Sequence, residues 1–362
     1  MIFSKEQVRF GSTNYPVIIA ENFLGLSEEL SRFEKISKLF ILTEKKIADL
    51  YLKDIFKELK KFNPECILIG GSEKNKHIDN LKSVYQKLIL KGADRKSFFL
   101  AFGGGVVGDF VGFVAATFLR GVRYAQIPTT LLASVDSSVG GKVAVNVDYG
   151  KNMVGAFYQP SFVFLPIYTL NTLKKKEWNC GLAEIVKHSF LEGGDFLNFI
   201  ENHSRKDIHA LSPVVRKCIE DSVKFKTKIV SIDEKETGLR AILNLGHSTA
   251  HAIESATNYR KYSHGEAVSI GLVTCLILSK NRLGFSEKSL NRSITILKNY
   301  ELPLNHSLKP SLIVSHIKHD KKNEGDTIKF VLLKNFGEPE FGVSVSKEEI
   351  FNTLKIQNSI VA

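Results

Sequence analysis

The sequence predicts an α/β first half followed by a mainly α-helical second half, and three observations carry that prediction. Short β-branched and aromatic runs alternate with helix-like stretches over the first part of the chain. That rhythm stops near residue 170, and the apolar spacing is then helical to about residue 320. A glycine-rich run, Gly103-Gly-Gly-Val-Val-Gly108, joins a strand-like segment to a helix-like one.

The elements follow in order. Lys38-Leu-Phe-Ile-Leu-Thr43 reads as a strand, and Cys66-Ile-Leu-Ile-Gly-Gly71 as the next, ending in a turn. Ile78 to Leu90 has the apolar spacing of a helix. Ser97-Phe-Phe-Leu-Ala-Phe102, Tyr124-Ala-Gln-Ile127 and Phe162-Val-Phe-Leu165 are further strands. Strands that alternate with helices form a parallel sheet covered on its faces. In the second half, Leu170-Asn-Thr-Leu173 leads into one helix. Ser212-Pro213 opens another, with the proline where its missing N–H costs nothing. Ile328-Lys-Phe-Val-Leu-Leu333 looks like an isolated strand, and Ser346-Lys-Glu-Glu349 has the spacing of a capping box before a last helix. No internal repeat or low-complexity segment interrupts this order. The boundaries that result are 1–172 for the α/β domain and 173–362 for the mainly helical one.

Composition narrows the class. The chain has 362 residues, of which 43% are hydrophobic, as expected of a globular protein with a large core. No apolar run approaches the roughly 20 residues needed to cross a bilayer, so no membrane partner is expected. The N-terminus lacks the apolar core of a signal peptide, and Cys66, Cys180, Cys218 and Cys275 are scattered, so a cytoplasmic protein with free thiols is expected. The formal net charge is +12, but the basic residues lie widely spread, many on helix surfaces such as Lys57 to Lys61. There is no nucleic-acid motif or aromatic-basic repeat, so no nucleic-acid partner is expected. An anionic small substrate accounts for a few of the cations, and the rest need no function.

The glycine run fits G-x-G-x-x-G between strand and helix. Such glycines let the backbone approach a pyrophosphate at a helix N-terminus, and they also serve close packing alone. The acidic residue expected about 20 positions on is missing, so this is not the usual dinucleotide fingerprint. No Gly-Lys-Ser/Thr closes the run, so it is not a Walker A loop either. Downstream, Thr129 and Thr130 follow a proline, and Ser134-Val-Asp-Ser-Ser-Val-Gly-Gly-Lys142 carries Asp136 and Lys142. These read as hydroxyls and charges for a ligand, or as a cap and a solvated loop.

The most informative residues are histidines. His247 and His251 are four apart in Asn244-Leu-Gly-His-Ser-Thr-Ala-His251, so on a helix they share a face. His264 follows in Ser263-His-Gly-Glu266, and Glu184 lies upstream in Gly181-Leu-Ala-Glu-Ile-Val-Lys187. Neutral imidazoles with one carboxylate suit a divalent metal that keeps an open coordination position. Lys187 falls beside Glu184 at i+3 on a helix.

Taken together these runs resemble 3-dehydroquinate synthase, of the sugar-phosphate cyclase group. The matching segments are Gly103 to Asp109, Arg120-Gly121, Ile127 to Lys142, Lys151-Asn152, Gly181 to Lys187, Asp233-Glu234, Leu243 to His251 and His264-Gly-Glu266. They stand in the family's order from about Glu73 to Lys322. The resemblance implies a Rossmann-like NAD-binding first domain and a metal- and substrate-binding second domain. It implies tightly held NAD, a divalent metal (zinc or cobalt) and a homodimer. Glu184, His247 and His264 match the metal ligands. Gly104, Gly105, Val106, Asp109, Thr129, Thr130, Thr172 and Leu173 match NAD contacts, with Glu73 and Lys76 near the adenosine end. Asp136, Lys142, Lys151, Asn152, Lys187, Lys226, Arg240, Asn244 and His251 match positions around the carbocycle, and Asp136, Lys142 and Lys151 also border the cofactor. Arg120 and a lysine of Lys321 and Lys322 match the phosphate side. Two departures stand out. Glu44 replaces a common Asp at the ribose contact, and Gly70-Gly-Ser-Glu73 replaces Pro-x-Gly-Glu while keeping the spacing to Lys76.

The implied reaction turns 3-deoxy-D-arabino-heptulosonate 7-phosphate, a phosphorylated sugar acid, into 3-dehydroquinate and phosphate in the shikimate route to aromatic amino acids. It proceeds by transient oxidation, phosphate elimination, re-reduction, ring opening and intramolecular aldol closure. Such a substrate explains a crowd of cations: arginine suits bidentate contacts, lysine a point contact with phosphate. Three rivals remain open on the sequence: another sugar-phosphate cyclase, a metal-dependent alcohol dehydrogenase of the glycerol type, and a non-catalytic regulator. Asn244, His251 and Asp320-Lys-Lys322 favour the dehydroquinate reading. A cyclase accumulates no NADH, and a dehydrogenase does.

Overall fold

The computed structural model describes residues 1–10, 13–317 and 327–360. Lys321 and Lys322 therefore lie outside the described residues. In order, the first half holds β1 (Ile2–Phe10), β2 (Thr13–Ala20), α1 (Leu26–Leu30), β3 (Leu39–Glu44), α2 (Lys45–Glu58), β4 (Glu65–Ile69), α3 (Asn80–Leu90), β5 (Phe98–Gly103), α4 (Gly105–Thr117), β6 (Arg123–Pro128), β7 (Lys142–Val147), β8 (Gly150–Phe157) and β9 (Val163–Pro166). There follow α5 (Lys175–Glu192), α6 (Gly194–Glu201), α7 (Pro213–Ile232), α8 (His247–Ala256), α9 (His264–Leu283), α10 (Glu287–Asn299), α11 (Pro310–His316), β10 (Thr327–Asn335), β11 (Glu338–Ser346) and α12 (Lys347–Ile360). Among the described residues, no helix is long and apolar enough to cross a membrane.

The chain forms two compact units. The first is Met1–Leu173 with His209–Glu234, and the second is Lys174–Ile208 with Lys235–Ala362. The segment carrying α7 thus belongs to the first unit, whereas the sequence reading assigned it to 173–362. The reason is packing: α7 lies on β1, where the Ser231 hydroxyl accepts from Arg9 N–H at 3.1 Å and the Arg216 guanidinium sits 4.9 Å from the Phe3 ring. Its start follows the expected chemistry, with Ser212 Oγ accepting the Val215 N–H at 3.0 Å and Pro213 in the first turn.

The first unit is built on a seven-stranded sheet of order β1-β2-β9-β6-β5-β3-β4. All neighbours run parallel except the β1–β2 hairpin. Strand residues alternate between two cores. Phe99 and Ala101 of β5 pack with Val107, Val111 and Val114 on one face, and Phe98, Leu100 and Phe102 pack with Ile47, Tyr51 and Ile55 on the other. Burial on both faces is why these strands read as continuous apolar runs. From β3 the chain moves outward to β4, then returns to β5 on the other side of β3, so strand order reverses there. Ligands of open parallel sheets bind beyond the strand C-termini at such a reversal, here beside Glu44 and Gly103-Gly104.

The second unit is mainly helical, with one hairpin. The expected isolated strand at Ile328–Leu333 is instead β10, paired antiparallel with β11. The partner β11 is marked by the alternation of Phe341, Val343 and Val345 with Gly342, Ser344 and Ser346, a signal the expectation of an isolated strand passed over, although of these only Val345 is buried. Ser346 and Glu349 do form the expected capping box, Ser346 N–H to Glu349 Oε2 at 3.0 Å and Glu349 N–H to Ser346 Oγ at 3.2 Å.

Candidate active site

In the second unit, glycines bring three helices into contact. A Cβ built on Gly265 would lie 2.3 Å from Cys180 Cα of α5, and one on Gly271 would lie 2.1 Å from Gly246 O, just before α8. Only hydrogen at these positions lets α9 approach α5 on one side and α8 on the other. Gly246 itself has φ 84°, a left-handed conformation that glycine adopts without strain. His264 is the first residue of α9 and His247 the first of α8. The run Ser263-His-Gly-Glu266 has a local meaning as well. Glu266 Oε2 accepts from Ser263 N–H at 2.7 Å and Ser263 Oγ caps Glu266 N–H, so the helix start holding His264 is fixed by its neighbours.

Glu184, fully buried on α5, faces both rings: its Oε1 lies 3.6 Å from His247 Nε2 and 3.4 Å from His264 Nε2. One donor atom from each of the three lies within 4.8 Å of the others. The far nitrogens are engaged too. His247 Nδ1 is 3.2 Å from Leu245 O, and His264 Nδ1 is 3.5 Å from Glu254 Oε1. Those contacts turn both Nε2 atoms toward Glu184, which is how ligating histidines are held. The buried Lys187 ammonium pairs with Glu184. Burial opposes a charged Glu184, but Lys187, His264 and His247 hold its carboxyl well below the usual range. Burial and Lys187 push His247 down to about 3 despite the pull of Glu184. Burial also disfavours a charged His264, yet hydrogen bonds to Glu184 and Glu254 raise it to about 10. A cation taking His264 Nε2 would have to displace that proton, so metal uptake and proton release are linked. Two imidazole nitrogens and one carboxylate oxygen fit zinc or cobalt with room for a further ligand. His251 sits beside His247, ring centroids 5.5 Å apart. Arg240 is buried, and Asn244 Nδ2 donates to Glu236 Oε1 at 2.7 Å.

In the first unit the glycine run passes from β5 into α4 with no side chain capping the helix start, so the first-turn N–H groups face outward as anion donors. A Cβ on Gly105 would meet Ser137 Oγ at 2.8 Å, and one on Gly104 would meet Thr130 Cγ2 at 3.1 Å. The buried hydroxyls of Thr129 and Ser137 have no partner among the described residues, which fits a loop shaped for a polar ligand. Gly108, by contrast, makes room for Gln126 Oε1, 2.5 Å from a built Cβ, so the last glycine of the run serves packing. Thr130 Oγ1 accepts from Ala133 N–H at 3.3 Å, the cap alternative weighed above, and Thr172 Oγ1 lies 2.8 Å from Tyr51 OH. The side chain of Val106 is half-buried at the helix start, and Leu173 is half-buried at the end of the unit. Glu44 lies over Gly71, whose built Cβ would fall 1.9 Å from Glu44 Oε2.

Five expected residues meet in one network. The buried Lys76 ammonium pairs with Asp109 and donates to Asn152 Oδ1 at 2.6 Å, and Glu73 Oε1 is 4.0 Å from Lys151 Nζ. Burial pushes the Asp109 carboxyl above its usual range, against the opposing charge of Lys76. Asn146, which the sequence reading missed, ties the network together. Its Nδ2 donates to Glu73 Oε1 at 2.8 Å, and its Oδ1 accepts from Asn152 N–H at 2.9 Å. The available signal was a polar residue inside the apolar strand Val143-Ala-Val-Asn-Val147. Elsewhere in the unit, Lys226 Nζ donates to Asp136 Oδ1 at 2.6 Å. Lys142, exposed at the start of β7, follows Gly140 and Gly141, both with positive φ. Arg120 is exposed in a left-handed stretch, with φ 50° at Leu119, 67° at Arg120 and 123° at Gly121. Ser137 in this unit and Glu254 in the second were missed as well.

Two family models match the chain, and they divide it near residue 180, so that α7 falls in the C-terminal match. The family model described as 3-dehydroquinate synthase N-terminal matches residues 66–180, and that described as 3-dehydroquinate synthase C-terminal matches residues 181–323. A 3-dehydroquinate synthase of Leptospira interrogans serogroup Icterohaemorrhagiae serovar copenhageni is 53% identical over 345 residues, 95% of this chain and 96% of that protein. Two solved structures share the fold. A 2-deoxy-scyllo-inosose synthase complexed with carbaglucose-6-phosphate, NAD+ and Co2+ matches with a TM-score of 0.87 at 23% identity, over 97% of this chain and 99% of that one. ValA, the 2-epi-5-epi-valiolone synthase from Streptomyces hygroscopicus subsp. jinggangensis 5008 with NAD+ and Zn2+ bound, matches with a TM-score of 0.86 at 24% identity, over 97% and 99%.

Proposed function

The chain belongs to the 3-dehydroquinate synthase family, and we propose that it carries out the family's reaction, conversion of 3-deoxy-D-arabino-heptulosonate 7-phosphate to 3-dehydroquinate and phosphate. The observation that carries this reading is the meeting of Glu184, His247 and His264 on three helices. When bound, NAD supplies a reversible hydride acceptor and zinc or cobalt supplies a Lewis acid. NAD with Co2+ or Zn2+ in two structural relatives supports that pairing.

The chain's own residues bind and orient. The N-terminus of α4, Thr129 and Ser137 receive the pyrophosphate, while Glu44, Glu73, Lys76 and Asp109 serve the nucleoside end. Glu184, His247 and His264 hold the cation. Lys187 keeps the Glu184 carboxylate ionised, so that it is ready as a ligand. Lys142, Lys151, Asn152, Lys226, Arg240, Asn244 and His251 serve the carboxylate and hydroxyls of the substrate, and Asp136 holds Lys226 in place. Arg120 and one lysine of Lys321 and Lys322 serve the phosphate, whose loss is the elimination step. A homodimer in the cytoplasm belongs to the same proposal.

The test is incubation of the heptulosonate phosphate with enzyme, NAD and zinc or cobalt. The expected result is phosphate release that depends on NAD, a product of the mass of 3-dehydroquinate, and no accumulation of NADH. Net NADH would instead mark a dehydrogenase, and a different carbocycle would mark another cyclase. Sedimentation as a monomer would remove the dimer.

A further inference from the structure

We propose that Glu254 is a positioning residue for the metal centre, acting through His264. This rests on the proposed metal role of Glu184, His247 and His264. The two imidazoles are held differently. His247 Nδ1 meets a backbone carbonyl, which is neutral, while His264 Nδ1 faces the Glu254 carboxylate at 3.5 Å. A carboxylate on the far nitrogen fixes the tautomer and makes the near nitrogen a stronger donor. Glu254 is itself largely buried, 8% exposed, so its charge is only weakly screened by water.

The charge balance of the site gives Glu254 a reason to be ionic. The single carboxylate among the three donors, Glu184, is paired with the buried Lys187. Those two charges cancel, and imidazoles that ligate a cation are neutral and add none. Both histidines also sit in first turns, where the positive end of the helix dipole disfavours a cation. Glu254 supplies the negative charge that the donor set lacks. It lies seven residues after His247 on α8, two turns along the same helix. One helix therefore carries a ligand and the residue that orients the ligand of its neighbour.

Cobalt titration of chelator-stripped protein tests this, with the visible absorption of bound Co2+ as the readout and circular dichroism as a control for folding. Glu254→Ala is expected to weaken cobalt binding by about 10–100-fold. Glu254→Gln keeps a hydrogen-bond acceptor but not the charge, and is expected to fall between Glu254→Ala and wild type. Both should alter the cobalt spectrum while the circular dichroism stays unchanged. Wild-type affinity and spectrum in folded Glu254→Gln and Glu254→Ala would overturn the role of Glu254 and leave the metal site intact. Failure of the wild-type chain to bind cobalt would instead overturn the metal reading itself. If Glu254→Ala fails to fold, Glu254→Gln decides alone.

Discussion

The two units assemble their functional residues by opposite means. In the first, charged and polar side chains satisfy one another: Lys76 holds Asp109 and Asn152, and Asn146 joins Glu73 to Asn152. In the second, three donor groups converge because helices approach at Gly265 and Gly271, and the donors' mutual charge is balanced by Lys187 and Glu254. A hydrogen-bonded network loses strength one bond at a time. A cluster held by backbone contact shifts as a whole when one helix moves. The comparison therefore predicts graded damage in one unit and collective damage in the other.

The largest effect is expected from His264→Ala. It removes one of three donors from the cluster and the contact of that ring with Glu254. Turnover should be abolished and cobalt affinity lost, while NAD affinity stays within a few-fold of wild type. Chelation of the wild-type enzyme should likewise stop turnover, with zinc or cobalt restoring it. Activity of His264→Ala at the wild-type level, or indifference to chelation, would remove the metal from the proposal.

How much of this was legible in the sequence depends on whether a residue acts locally. The strands β3, β5, β6 and β9 were readable because burial on both faces leaves continuous apolar runs, whereas the edge strand β4, with only Ile67 buried, was readable from its apolar residues alone. The cluster of Glu184, His247 and His264 was readable from residue type and spacing. The β1–β2, β7–β8 and β10–β11 hairpins were less so. Lys142, for instance, reads as part of a polar loop and instead opens β7, where Val143, Val145 and Val147 alternate and pair with β8, a strand with no buried residue. Helix α7 reads as one more helix of the second half, and only its packing on β1 assigns it to the first unit. Glu254 and Asn146 escaped for the same reason: each acts on a side chain that only the fold brings near.

Gly265→Ala is the next largest expected effect, and it separates geometry from chemistry because it removes no donor. The added methyl would meet the α5 backbone at Cys180, 2.3 Å from its Cα, and a backbone atom cannot rotate away. Overpacking of this kind costs about 1–3 kcal/mol, and here α9 must move off α5 to relieve it. His264 would then move from Glu184, so cobalt affinity should fall along with stability. Thermal unfolding and cobalt titration of the same preparation check both at once. A variant of lower stability with wild-type cobalt affinity would show that the donors do not depend on the helix approach.

Asn146→Leu probes the other unit and is expected to have the smallest effect of the three. Leucine keeps the heavy-atom branching of asparagine without its polar atoms, so the Asn152 N–H and the Glu73 carboxylate lose their link. Leaving partly buried polar groups without a partner costs about 1–3 kcal/mol, and water reaching the half-exposed Glu73 offsets part of it. Lys76 keeps its pairing with Asp109, so the network loosens rather than collapses. NAD affinity should fall several-fold, because Glu73, Lys76 and Asn152 are no longer fixed together, while cobalt affinity should not change. Calorimetric titration with each ligand reads the two separately. Loss of cobalt binding in Asn146→Leu would break the comparison, since Asn146 belongs to the first unit and Glu184, His247 and His264 to the second.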